Sequence, residues 1–266
     1  MGNFEFKKKF GQNFLSDKDL LSEIVEKAGV DEETIVVEIG AGKGALTEFL
    51  SKKAKKVFAF EIDRELISYL ETKFENTNVT CIFEDVMSYD DEKLNKLVGG
   101  KFKLVANLPY YVTSPILTRF LQNKNLVSMT VMVQEEVADR IIAVPKTKDY
   151  GVLTIMCQMF GDAKKVMRVG RKMFYPVPNV DSAVIKIDRF EDIDFQNYPK
   201  FISFVKRAFS MRRKKLSTNL ENDKIDKNSI EKTLESLGYS PTIRAEELSI
   251  REFGELFSLF LDKNWL

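Results

Sequence analysis

Histidine does not occur in this 266-residue chain. Its absence excludes Ser-His-Asp and Cys-His catalysis, and the histidine-bearing zinc site of base deaminases. Cysteine occurs twice, at Cys81 and Cys157, each inside an apolar stretch. Two such residues build neither a disulfide framework nor a zinc quartet, and they read as buried free thiols. Net charge is almost absent, with 41 Lys and Arg against 40 Asp and Glu. Only the distribution of charge can therefore speak of a nucleic-acid partner. No apolar run approaches the roughly 20 residues of a membrane-spanning helix. The N-terminal residues show no apolar signal core. The expectation is a cytoplasmic protein with no membrane attachment and no bound metal. An apolar share of 44% with 13 Gly and 7 Pro describes a soluble globular chain, of a length that suits one large domain or two unequal ones.

Apolar periodicity organises the chain. Asp17 to Ala28 reads as a helix with Ser16 or Asp17 as its cap. Ile35 to Ile39 reads as a buried strand, followed by Gly40-Ala-Gly-Lys-Gly44 and a helix from Ala45 to Lys53. Val57 to Phe60 and Val79 to Phe83 are strand-like, with a helix from Arg64 to Phe74 between them. Phe102 to Ala106, Met129 to Val133, Ala163 to Val169 and Ala183 to Asp188 are further strands, the last two able to pair. Pro115 to Gln122, Glu135 to Ile142 and Val152 to Phe160 read as helices. Regular alternation argues for a parallel sheet with helices on both faces. After about Phe190 the pattern is helical. The division predicted is residues 1–190 as an α/β domain and 191–266 as a small α-helical one.

The glycine loop after the first of these strands lets backbone approach a ligand at a helix start. Glu61, 21 residues after Gly40 and closing the next strand, can accept hydrogen bonds from both hydroxyls of a ribose. Because Ala45 can stand for the third glycine of a dinucleotide fingerprint, the loop alone does not separate a nicotinamide cofactor from S-adenosylmethionine. The strand ends favour the methyl donor. Asp85 closes the third strand, where an adenine amine could be met, and Asn107 closes the fourth. Singly, Glu61 is also a solvated charge before a helix, and Asp85 a turn cap.

Asn107-Leu108-Pro109-Tyr110 looks like the active-site turn of methyltransferases that act on exocyclic amines. An adenine amine is a poor nucleophile, because its lone pair is delocalised into the ring. Acceptors for its protons localise that pair. The Asn107 side-chain oxygen is one acceptor and the Leu108 carbonyl a second, aimed by the extended bias that Pro109 imposes. Tyr110 offers a stacking face. Alone, the tetrapeptide is equally an ordinary turn.

Taken together, the motifs resemble the small-subunit ribosomal RNA adenine N6,N6-dimethyltransferases, the kasugamycin-sensitivity family. The resemblance spans nearly the whole chain. It is carried by Phe10-Gly-Gln-Asn-Phe-Leu15, Glu38-Ile-Gly-Ala-Gly-Lys-Gly44, Glu61-Ile-Asp63, Asn107-Leu-Pro-Tyr110, Phe174-Tyr-Pro-Val-Pro-Asn-Val-Asp-Ser182, Ala208-Phe-Ser-Met-Arg-Arg-Lys-Lys-Leu216 and Arg244-Ala-Glu-Glu-Leu-Ser249. It implies a Rossmann-like class I methyltransferase sheet and S-adenosylmethionine as cofactor. Asn13 and Leu15 would touch the methionine end of the donor, with Gly40 and Gly42 lining the site, Glu61 on the ribose and Asp85 on the adenine. Asn107 would lie between donor and target amine, and Phe174 would clamp the extruded base against Tyr110. Without its motif, Phe174 would read as a core aromatic. The implied substrate is a pair of adjacent adenosines in the 3′-terminal hairpin loop of small-subunit rRNA, within a pre-30S particle; a monomer is the simplest expectation for the chain.

Charge clusters complete the reading. Lys206, Arg207, Arg212, Arg213, Lys214 and Lys215 fall between positions 206 and 216 with no acid among them. Lys7, Lys8 and Lys9 form a second cluster. Such runs are usually solvated faces; beside a base-modifying turn they read as an RNA platform. The competing readings are a large-subunit rRNA dimethyltransferase of the macrolide-resistance type, a nicotinamide oxidoreductase, and a non-catalytic assembly factor.

Overall fold

The structure, a computed structural model, describes residues 14–15, 17–191, 193 and 197–266. Nine strands form among them: β1 Phe14–Leu15, β2 Ile35–Ile39, β3 Lys56–Phe60, β4 Val79–Ile82, β5 Phe102–Asn107, β6 Leu126–Gln134, β7 Gly161–Val169, β8 Phe174–Tyr175 and β9 Ser182–Arg189. The helices are α1 Lys18–Ala28, α2 Ala45–Ser51, α3 Ile67–Lys73, α4 Asp91–Val98, α5 Thr113–Leu121, α6 Glu135–Ile141, α7 Val152–Gln158, α8 Tyr198–Ala208, α9 Leu216–Leu220, α10 Lys227–Ser236 and α11 Ile250–Asp262. Short 3₁₀ turns punctuate the loops.

Seven strands make one sheet in the order β4-β3-β2-β5-β6-β9-β7. The first five are parallel, and β9 runs antiparallel to both of its neighbours. The Rossmann-like sheet with helices on both faces expected from the sequence is observed, with β9 as its antiparallel strand. β7 and β9 pair as expected. β1 and β8 pair antiparallel in a separate two-stranded ribbon, which lies below the length at which periodicity is visible.

The alternation of a strand puts successive side chains on opposite faces. Val36, Val57, Ala59, Val105, Met132 and Val184 cluster with Leu20, Leu21, Ile24 and Val25 of α1 and with Leu46 and Leu50 of α2. The intervening Val37, Phe58, Phe60, Leu104 and Val131 are buried as well. Both faces are therefore covered, which is why these strands read as continuous apolar runs. At about 25 cal/mol per Å² of apolar area removed from water, this burial is the main favourable contribution to the fold.

Local signals set the helix ends. The Asp17 carboxylate accepts the Leu20 N–H at 3.0 Å, and Gly29 closes α1 in the left-handed region at φ 65°. α4 was not anticipated. It carries only two buried apolar residues, Leu94 and Val98, in eight positions. Its caps nonetheless stand in the sequence: Asp90 accepts from Lys93 N at 2.7 Å, and Gly99 ends it. The expected helix from Arg64 begins as a 3₁₀ turn, Arg64–Leu66, before α3.

Contacts divide the chain into two units. One comprises the residues up to Ala138 with Gly161–Phe190, the other Asp139–Phe160 with Glu191–Leu266. The sequence division had kept 139–160 with the sheet. Packing explains the difference. Phe160 stacks edge-on to Tyr198 at 4.9 Å, and Tyr150 meets Phe209 at 6.2 Å. The second unit is held by an aromatic cluster in which Phe204 contacts both Phe257 and Phe260, and Phe209 stacks on Phe253. Outside helices, only an isolated bridge between Asn222 and Ile225 forms among its described residues after Phe190. No described helix is long and apolar enough to cross a membrane.

Gly44 is a tightly packed point of the sheet unit. Its φ is +69°, and a Cβ there would sit 2.6 Å from the Phe74 ring. Gly44→Ala is expected to destabilise the protein by roughly 1–3 kcal/mol through overpacking and left-handed strain. Denaturant titration checks this; an unchanged midpoint would show that the ring can give way freely.

Candidate active site

The strand order reverses between β2 and β5, and the C-terminal ends of β2, β3, β4 and β5 border one cavity of about 250 Å³. This is the place where open α/β sheets leave a crevice. Its lining includes Leu15, Gly40, Gly42, Glu61, Asp85, Asn107, Leu108, Pro109 and Tyr110. These are the sequence-derived candidates of the described N-terminal unit with one exception, Phe174. Asn13, Lys7, Lys8 and Lys9 lie outside the described residues.

Backbone hydrogen bonds shape the glycine loop. Gly40 N and Ala41 N both donate to the Phe60 carbonyl, at 2.8 and 3.1 Å. Gly40 has φ +75°, and a Cβ on it would point at the Asn107 carbonyl and Pro109 Cδ, 3.8 Å from each. The loop after β2 and the turn after β5 thus approach closely. From behind, the Lys73 ammonium donates to the carbonyls of Lys43 and Gly44, both at 3.1 Å, and pairs with Glu48 at 3.5 Å.

Glu61 is buried in the cavity wall at 4% exposure. Its Oε2 accepts the Gly42 N–H at 2.7 Å, and its Oε1 accepts those of Ile62 and Asp63 at 2.8 Å. Three donors fix the carboxylate and leave acceptor capacity on each oxygen. Asp85 is exposed, caps the turn Val86–Ser88 through Met87 N at 2.9 Å, and borders the cavity as well. The turn-cap reading of that residue holds, and the residue also stands at the cavity rim.

Asn107 is the last residue of β5, paired with Met132. Leu108 is buried, and its N–H reaches the Met132 carbonyl at 3.4 Å. Pro109 sits at φ −58°, ψ 131° and starts the 3₁₀ turn Tyr110–Val112, with Val112 N donating to the Pro109 carbonyl at 3.1 Å. The Tyr110 hydroxyl lies 2.8 Å from Ser182 Oγ, which fixes the ring; burial raises its pKa. Tyr111 borders the same cavity and is exposed.

Phe174 is 3% exposed. It pairs with Leu15 across the β1–β8 ribbon and joins the core with Leu20 and Leu21. It does not line the cavity, while the neighbouring Tyr175 is exposed.

Sequence reasoning missed Glu38. This carboxyl lines the cavity at 1% exposure, and its Oε2 has no hydrogen-bond partner. Burial above all, with the Glu61 charge adding to it against the Thr47 hydroxyl and Lys73, pushes its pKa up to about 8. The signal was available: a lone acid inside the apolar strand β2, directly before the glycine loop. A buried acceptor without a donor beside Glu61 suits a ligand that carries positive charge, and the apolar Ile39, Phe60, Ile62 and Met87 suit a flat ring. No group of His, Cys, Asp and Glu among the described residues could hold a metal ion.

In the second unit, Lys206, Arg213 and Lys214 are exposed. Arg207 donates to the Glu221 carbonyl at 2.5 Å, Arg212 to the carbonyls of Thr147 and Lys148, and Lys215 pairs with Glu231 at 3.6 Å. Half of that basic run is engaged in local structure, which sequence cannot reveal.

Residues 3–260 match the family model described as ribosomal RNA adenine dimethylase. A protein of Bacillus licheniformis named ribosomal RNA small subunit methyltransferase A is 46% identical, over 95% of this chain and 90% of its own. One of the same name from Clostridium botulinum is 43% identical, over 97% and 95%. Among solved structures, a dimethyladenosine transferase from Plasmodium falciparum superposes with a TM-score of 0.81 at 26% identity, covering 94% of this chain and 98% of that one. The 23S rRNA methyltransferase ErmE gives 0.71 at 26%, covering 92% and 98%.

Glu38 carries a pH signature. In the unfolded chain its carboxyl ionises near the ordinary 4.5, whereas the folded protein keeps the proton up to about 8. Between these values the folded state binds the extra proton, so stability falls as pH rises through the window, by at most about 1.4 kcal/mol per pH unit. Glu38→Gln, neutral throughout, is expected to flatten the decline in Tm from about pH 5 to about pH 8. A pH profile identical to that of the wild type would sink the assignment.

Proposed function

This chain belongs to the ribosomal RNA adenine dimethylase family, and on that premise we propose that it dimethylates the N6 amines of two adjacent adenosines in the 3′-terminal hairpin loop of small-subunit rRNA. The family fixes its class, an S-adenosylmethionine-dependent rRNA adenine methyltransferase. The observation that carries the site assignment is the convergence of the Gly40 loop, Glu61 and the Asn107 turn on one cavity.

In this reading Glu61 holds the ribose hydroxyls, Asp85 the adenine amine, and Leu15 and the Gly40–Gly42 backbone the methionine end. Asn13, beyond the described residues, belongs with them by its motif. Glu38, which keeps its proton near pH 7 in the free protein, becomes the negative partner of the donor's ammonium once that nearby charge favours its ionised form. When bound, the donor supplies a methyl on a sulfonium, already electrophilic. The chain's own part is to bind and to orient. Asn107 and the Leu108 carbonyl accept the two amine protons, and the nitrogen lone pair turns toward the methyl. The methylated nitrogen would then give its proton to water. No imidazole is required. Tyr110 stacks one face of the extruded base. Phe174, buried behind Leu15, supports that side of the site and would need to shift to clamp the base directly. Lys206, Arg207, Arg212, Arg213, Lys214 and Lys215, with Lys7, Lys8 and Lys9, take RNA phosphates. The enzyme works as a cytoplasmic monomer on a pre-30S particle, with residues 191–266 as its RNA-binding part. The large-subunit alternative has a TM-score of 0.71 to ErmE behind it. The relatives at 43% and 46% identity carry the small-subunit name, and they outweigh it.

Labelled methyl transfer to unmodified small subunits, with large subunits alongside, tests the reaction. Label as N6,N6-dimethyladenosine only in small subunits is expected; label in large subunits alone would overturn the substrate. Asn107→Ala should lose at least about a hundredfold in kcat, the scale for removing one preorganised polar contact in a transition state, with RNA affinity kept. Undiminished turnover would remove Asn107 from the chemistry. Replacing Arg213 and Lys214 by Ala should weaken RNA binding and flatten its dependence on salt; an unaltered slope would make that patch a bystander.

A further inference from the structure

A second charged surface lies on the sheet unit itself, and the functional reading above does not use it. β7 is the edge strand of the sheet. Its outer residues and the following turn carry Lys164, Lys165, Arg168, Arg171 and Lys172. Asp181 holds two of them: its Oδ2 accepts from Arg168 Nη2 at 3.1 Å and its Oδ1 from Arg171 N at 2.9 Å. Arg168 also pairs with Glu135 at 3.0 Å, and Arg171 Nη1 donates to the Asn179 carbonyl at 3.3 Å. Lys165 lies 3.8 Å from Glu135, and Lys164 pairs with Asp162. Lys164 and Asp162 lie beside Lys186 and Asp188 across the strand pair, so around Arg168 four cations, Lys165, Arg168, Arg171 and Lys172, stand against two carboxylates, Glu135 and Asp181, and positive charge is in excess. Exposed apolar side chains continue the same segment: Met173, Tyr175 at 65% exposure, Val177 and Val180.

This edge joins the candidate active site. Asp181 precedes Ser182, whose hydroxyl holds Tyr110, and Val169 pairs with Ser182 across the sheet. We infer that the edge formed by Arg168, Arg171, Lys172 and Tyr175 is a docking surface for the single RNA strand that flanks the target nucleotide. Phosphates lie on Arg171 and Lys172, and a base stacks on Tyr175. Cations beside an exposed aromatic ring are the combination that binds single strands without reading sequence. Asp181 spends its charge on holding Arg168 and the Arg171 backbone in place. A duplex offers no unstacked base to Tyr175, so the surface favours single strands. The inference rests on the RNA reading of the neighbouring site, and its test is binding rather than methylation.

The probe is a fluorescein-labelled, unstructured oligoribonucleotide, titrated by anisotropy at several salt concentrations. Wild-type protein is compared with Arg171→Ala/Lys172→Ala and with Tyr175→Ala. Expected is a loss of about tenfold in affinity for each, with the salt slope of the double variant shallower by about 1.4, from two single-strand phosphates. Donor affinity and Tm should stay as in the wild type, and Arg171→Lys/Lys172→Arg should restore binding. Equal affinity and slope in all variants would overturn the inference, as would a wild type that does not bind the probe. A wild type that binds the strand but methylates no ribosomal subunit would instead count against the proposed function alone.

Discussion

The carboxylate of Glu61 is the joint on which the cavity depends. It accepts three backbone N–H groups, from Gly42 on one loop and from Ile62 and Asp63 on another. Hydrogen bonds to an ionised acceptor contribute more than neutral ones, on the order of 1.5–3 kcal/mol each. Gly40 and Ala41 add two further bonds to the Phe60 carbonyl, the residue before Glu61. The glycine loop after β2 is therefore fastened to the end of β3 before any ligand enters. A loop with three left-handed glycines would otherwise have many conformations to lose on binding.

The same loop is clamped from the opposite side. Phe74 fills the space that a Gly44 side chain would need, and Lys73 ties two loop carbonyls to α3. Gly40, left-handed at φ +75°, lies alongside the Asn107 turn. Ligand-facing groups from β2, β3 and β5 are thus set by neighbours that themselves face away from the cavity.

Much of this was legible in the sequence, for identifiable reasons. β2, β3 and β5 are short, largely apolar runs; β2 leads into the glycine loop, β3 into Glu61, and β5 ends on Asn107 before Leu108-Pro109, and strand ends in a parallel sheet converge on one edge. That made Glu61, Asp85 and Asn107 readable as a set. What escaped was of three kinds. α4 is nearly polar, so its caps stood without the periodicity that usually accompanies them. Glu38 reads as one charge in a strand until its burial shows that Oε2 has no partner. The engagement of Arg207 and Arg212 with backbone carbonyls depends on chain segments 14 and 64–65 residues away, beyond any local pattern. The grouping of 139–160 with the C-terminal unit is of the same kind, since it follows from Tyr150 and Phe160 meeting Phe209 and Tyr198.

The arrangement also separates binding from chemistry. Glu61 closes β3 and Asn107 closes β5, with β2 between them. At about 4.8 Å per strand spacing they stand roughly 10 Å apart across the sheet. Groups held at the Glu61 end carry the same charge before and after methyl transfer, so their contacts are equally strong in ground and transition states. Such contacts lower KM without raising kcat. In the proposed reaction the amine that meets Asn107 changes its charge during the step, and acceptors there strengthen as positive charge develops on nitrogen. The buried carboxyls can therefore serve affinity, while the neutral amide and carbonyl of the turn serve rate. A neutral turn has a further advantage over an acid at that point. In the proposed reaction it accepts the amine protons without taking one, so the proton lost after the first transfer goes to water, and the one N–H left on the methylated amine still has an acceptor during the second.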